Sequence, residues 1–82
     1  MKKENEKNKI TFMVNDESYS TEEKQLTARQ ILEIAGIDPA NYYLVQIKGN
    51  QQISYKDTPD EEIKMHNNLK FIANYTGQTT VT

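Results

Sequence analysis

From Ile10 to Asn15 the chain alternates, with Ile10, Phe12 and Val14 set against Thr11, Met13 and Asn15, and this predicts a strand with one buried face. Asn15-Asp16-Glu17-Ser18 is rich in turn formers, so Tyr19 to Gln25 is expected to return along a sheet edge as the second arm of a hairpin. Thr27-Ala28-Arg29-Gln30 has the form of a capping box and places a helix start at Thr27. On that helix Ala28, Ile31, Leu32, Ile34 and Ala35 fall on one side, with Arg29, Gln30 and Glu33 opposite. Gly36 stands where a left-handed C-terminal cap would sit and Pro39 forbids continuation, so about two and a half turns are expected, with Ile37 folding back onto the end.

The second half is richer in β-formers. Tyr42 to Lys48 is aromatic and β-branched, Gly49-Asn50 marks a turn, and a short strand follows around Gln52 to Tyr55. Lys56 to Glu62 reads as a loop, with Ile63 and Met65 as inward anchors before the turn residues His66-Asn67-Asn68. Leu69, Phe71, Ala73 and Tyr75 then alternate with Lys70, Ile72 and Asn74 as a last strand. The order strand, strand, helix, strand, short strand, strand predicts an α+β domain. The topology that buries every apolar stripe is the ubiquitin-like β-grasp, a mixed sheet packed on one helix with the first and last strands central and parallel. A ferredoxin-like fold needs a second helix, and an SH3-like barrel does not accommodate the one present. The expected organisation is a flexible arm over residues 1–9, the domain over 10–75, and a flexible tail over 76–82.

Composition narrows the functions. At 82 residues there is room for one domain, which buries only about 60% of its unfolded surface. There is no cysteine, which removes disulfides, thiolate metal sites and thiol catalysis. The arm carries four Lys against two Glu and the rest of the chain is acidic, with Arg29 as its one arginine, so no basic stripe for nucleic acid is expected. No apolar run approaches the roughly 20 residues of a membrane span, and MKKENEKNK has no apolar signal core, so a soluble, cytoplasmic protein is expected. No enzyme constellation is visible. His66 sits in a turn without a nucleophile, and Asp57 to Glu62 lacks the spacing and glycine of a calcium loop. Neither a metal nor another cofactor is expected.

Ile31 to Pro39 followed by Asn41-Tyr42-Tyr43-Leu44-Val45, with Phe12-x-Val14-Asn15, Tyr19, Asp60-Glu61-Glu62-Ile63-x-Met65 and Leu69-Lys70-Phe71-Ile72, resembles the bacterial multi-ubiquitin domain family. Members are small ubiquitin-like proteins from operons with an activating enzyme, a conjugating enzyme and a processing peptidase. The resemblance implies a protein modifier with those three partners, plausibly in antiphage defence, rather than an enzyme. Family members often carry tandem domains, whereas one is present here.

Two sets of residues then become candidates. Gly77 follows the last strand, where ubiquitin-like modifiers carry the glycine whose carboxylate is activated, and a residue without Cβ allows the closest backbone approach in an enzyme channel. Gln78 to Thr82 follow it, so cleavage between Gly77 and Gln78 is required before activation, with later transfer to a Cys or Ser of the downstream enzymes. If Phe12, Val45, Ile47 and Phe71 face the helix, strand alternation sends Met13, Leu44 and Ile72 to the outer face, with Gln46 beside them, as a partner-docking patch. Lys2, Lys3, Lys7 and Lys9 are available as acceptors of a second copy. The alternative is a non-conjugated interaction or self-assembly module, so self-association stays open. A sulfur carrier shares the fold but needs a free terminal glycine, which the tail denies.

Overall fold

The computed structural model describes residues 9–77. Residues 1–8 of the arm and Gln78 onward lie outside them.

The first hairpin forms as its sequence dictates. β1 (Ile10–Val14) and β2 (Glu17–Thr21) pair antiparallel with Val14 opposite Glu17, leaving only Asn15 and Asp16 between them. Both turn residues are left-handed, at φ 54° and 70°, the conformation that a two-residue hairpin loop matching the sheet twist requires and that Asn and Asp tolerate best. Asn15 also ties the turn to the last strand: its N–H donates to the Phe71 carbonyl at 3.0 Å, and its side-chain oxygen accepts from the Ala73 N–H at 2.9 Å.

The polar stretch after β2 divides in two. The expected strand from Tyr19 to Gln25 stops at Thr21, and a separate short strand, β3 (Gln25–Thr27), leads into the helix. The helix α1 (Ala28–Ile34) carries the expected capping box: the Gln30 N–H donates to Thr27 Oγ1 at 3.1 Å, and the Thr27 N–H donates to Gln30 Oε1 at 2.9 Å. At the other end the Gly36 N–H donates to the Glu33 carbonyl and the Ile37 N–H to that of Leu32, a Schellman closure that needs Gly36 at φ 74°. Ala28, Ile31 and Leu32 are buried, but Ile34, expected on the same side, is 39% exposed. The helix is only seven residues long, and its last residue has already rotated past the edge of the core.

β4 (Tyr42–Lys48) and β5 (Gln51–Ser54) form a second hairpin, β6 (Glu62–Lys64) a short strand, and β7 (Leu69–Tyr75) the last. The main sheet is ordered β2-β1-β7-β4-β5, with β1 and β7 parallel and the other neighbours antiparallel. β3 and β6 pair antiparallel as a second, two-stranded sheet, with Leu26 opposite Ile63. Ile63, expected as an inward anchor after the loop, therefore enters the core from a short strand that begins at Glu62, the last residue of that expected loop. Among the described residues there is one α-helix, and the class is α+β with a mixed five-stranded sheet.

The core joins three layers. Phe12, Val14, Leu44 and Phe71 come from the main sheet, Ala28, Ile31 and Leu32 from α1, and Leu26, Ile63 and Met65 from the small sheet and its exit. The Phe12 and Phe71 rings meet edge to face with centroids 6.2 Å apart. Burial of each such large side chain stabilises the fold by roughly 1.5–3 kcal/mol.

Candidate functional site

The path of the last strand decides how Gly77 is presented. The turn after α1 is built on Asp38: its side chain accepts from the Ala40 N–H at 2.9 Å and from Asn41 Nδ2 at 2.8 Å, and its carbonyl accepts from the Asn41 and Tyr42 N–H groups. The Asn41 carbonyl, so positioned, accepts from the Thr76 N–H at 2.9 Å. Beside that bond the Tyr42 and Tyr75 rings pack edge to face at 5.5 Å. Tyr42 and Tyr75 are cross-strand partners, 36% and 50% exposed, and they frame the point where the chain leaves the sheet.

Gly77 is the next residue. It is exposed, its φ is 84°, and a Cβ built on it would meet no heavy atom within 4 Å. The expectation that this glycine stands past the last strand thus matches its position. Its positive φ adds a reason for glycine that the sequence alone does not disclose. Gln78 lies outside the described residues.

The outer face of the sheet carries a few apolar side chains among polar ones, but their membership differs from the sequence expectation. Cross-strand partners share a face, and the register places Gln46 opposite Phe71, Leu44 opposite Ala73 and Val45 opposite Ile72. Since Phe71 packs in the core, Leu44 and Gln46 face the helix. Leu44 is fully buried and Gln46 is 8% exposed. Neither belongs to an outward docking patch. Met13 and Ile72 do stand on the outer face, and Val45 and Ile47 join them there instead of facing the helix. Lys70, opposite both Met13 and Ile47, supplies a charge beside the patch.

Gln46 is reconciled with its apolar surroundings by one contact, since the Tyr55 hydroxyl donates to its Oε1 at 3.3 Å. Burial raises the Tyr55 pKa above its ordinary value, with the nearby Glu61 charge adding to the effect.

Arg29 Nε donates to Asp60 Oδ1 at 3.0 Å, which draws the acidic loop against the helix start and raises the Arg29 pKa. The Arg29 N–H donates to the Pro59 carbonyl in the same loop. His66 is exposed at the exit of β6. Among the described residues no group of three or more His, Cys, Asp or Glu side chains could hold a metal ion, and no helix is long and apolar enough to cross a membrane.

Comparison of the chain with family models, with curated proteins and with solved structures returns no match.

Proposed function

We propose that this chain is a β-grasp protein modifier, matured by a peptidase between Gly77 and Gln78 and then handled through the new Gly77 carboxylate by an activating and a conjugating enzyme. The observation that carries this reading is the position of Gly77: one residue beyond the last backbone hydrogen bond of the sheet, exposed, with open space around it. The order β2-β1-β7-β4-β5 with a parallel β1–β7 pair supports the β-grasp assignment, because it places the first and last strands side by side under one helix.

The chemistry balances as follows. Hydrolysis adds water across the Gly77–Gln78 amide, leaving a Gly77 carboxylate and a Gln78 ammonium. The carboxylate attacks the α-phosphorus of ATP and expels pyrophosphate. A thiol or hydroxyl of the downstream enzyme then attacks the acyl carbon, gives up its proton and displaces AMP. The chain contributes no catalytic group to these steps; it contributes a peptide that fits a narrow channel.

The test compares the full chain with a chain ending at Gly77, each incubated with ATP, Mg²⁺ and the cognate activating enzyme, and read by pyrophosphate release and intact mass. The shortened chain is expected to react and the full chain to remain inert until the peptidase is added. Equal inertness of both forms would remove the modifier reading. Gly77→Val should leave a folded domain, because the strain of a β-branched residue at φ 84° falls beyond the sheet, while losing most of its turnover.

A second reading rests on the outer face. Met13, Ile47 and Ile72 are half-buried apolar residues around a buried Val45 on the face turned away from the helix, which suits a non-conjugated interaction module. Its signature would be partner binding that survives loss of every residue after Tyr75.

A further inference from the structure

We infer that the groove between the start of β1 and the exit of the β3–β6 sheet is a docking surface for an acidic peptide segment that carries an apolar side chain. The floor is made by Ile10 and Met65, and the rim by Lys24, Gln25, Lys64 and His66, around about 590 Å³. Among the described residues no carboxylate lines it, although Glu62 shares the neighbouring groove with Lys64 and His66.

The local architecture explains why the groove is basic at its rim and apolar at its base. Leu26 and Ile63 are opposite each other and buried, so alternation turns their neighbours Gln25 and Lys64, also cross-strand partners, away from the core. The Met65 N–H donates to the Lys24 carbonyl at 2.9 Å, fixing Lys24 across from the end of β6. Lys24, just before β3, and Lys64, in β6, therefore border the groove beside an Ile10 that packs only partly against the core. Among the described residues the one ion pair is Arg29–Asp60, so neither lysine is paired with an acid among them.

Charge complementarity selects the occupant. Two lysines above an apolar base favour an anionic partner through steering and rim contacts, and they favour one with an apolar side chain because only that covers Ile10 and Met65. A basic or purely polar segment would gain neither. The surface lies away from Gly77 and makes no use of it, so this inference and the modifier reading stand or fall separately.

The test is an NMR titration of the ¹⁵N-labelled full chain with the capped peptide Asp-Glu-Leu-Asp-Glu-Phe-Asp-Glu. Amide shifts are expected at Ile10, Lys24, Gln25, Lys64 and His66, with affinity falling as salt is raised from about 50 to about 300 mM. The exposed-site variant Lys24→Glu/Lys64→Glu should weaken binding at least about fivefold with its spectrum still that of a folded domain, and Lys24→Gln/Lys64→Gln should fall between. Replacing the peptide's acids by Asn and Gln, or its Leu and Phe by Ser, should each weaken it as well. Shifts spread over other faces, binding indifferent to the lysine variants, or equal binding of inorganic phosphate or oligothymidylate in the groove would overturn the proposal. So would groove shifts that grow with protein concentration alone, which would make the occupant a second copy.

Discussion

At the scale of single residues, Leu44 and Gln46 separate what the sequence discloses from what it does not. Tyr43-Leu44-Val45-Gln46-Ile47 is apolar at consecutive positions, so alternation alone does not say which set faces the helix, and the polar Gln46 invites the choice that sends it outward. The register reverses that choice by pairing Gln46 with Phe71. The signal that could have found it is Tyr55, nine residues on, whose hydroxyl supplies the donor that a buried carboxamide needs. Leu44→Asp should abolish the cooperative unfolding transition seen by circular dichroism, whereas Ile72→Asp on the outer face should leave a folded domain; the reverse pattern would invert the sheet. Tyr55→Phe should cost about 1 kcal/mol in urea denaturation by leaving Gln46 without its donor. Because folding raises the Tyr55 pKa, the folded state holds that proton more tightly, and the associated stability is present at neutral pH and lost as pH climbs past about 10. The melting temperature of Tyr55→Phe should accordingly fall less steeply than the parent's between neutral and strongly alkaline pH.

At the scale of elements, the helix was legible because its boundaries are written in local chemistry. Thr27 and Gln30 cap one end through mutual hydrogen bonds, and Gly36 closes the other at φ 74°. Thr27→Ala should lower stability by about 1 kcal/mol, and Gly36→Ala by about 1 kcal/mol, as read from thermal or urea unfolding. The small β3–β6 sheet was not legible. Gln25-Leu26-Thr27 and Glu62-Ile63-Lys64 have one apolar residue each, too few for a period to register, and their pairing joins segments far apart in the chain. What holds them is tertiary: Leu26 and Ile63 are both 5% exposed in a core neither could build alone. The hairpin turn at Asn15-Asp16 shows the intermediate case. Its residue types announce a turn, but the anchoring of Asn15 to Phe71 and Ala73 follows only once β7 lies beside β1.

At the scale of the whole molecule, the first and last strands are adjacent and parallel in a mixed sheet as expected, while the short strands β3 and β6 add a second sheet that the expected order lacks. The candidate glycine stands where its distance from the last strand suggested, while the outer patch is rebuilt around Met13, Val45, Ile47 and Ile72. If partners use that patch, Ile47→Asp should weaken binding at least about tenfold in a pull-down or calorimetric titration without unfolding the domain, as expected for truncating a central interface contact. The parallel pairing also has a geometric outcome. Phe12 is level with Leu69, so β7 runs a further six residues to Tyr75 before it ends, about 20 Å at the usual rise per residue. Ile10 and Tyr75 consequently stand at opposite poles of the sheet, so the backbone enters β1 at one end of the fold and leaves β7 at the other.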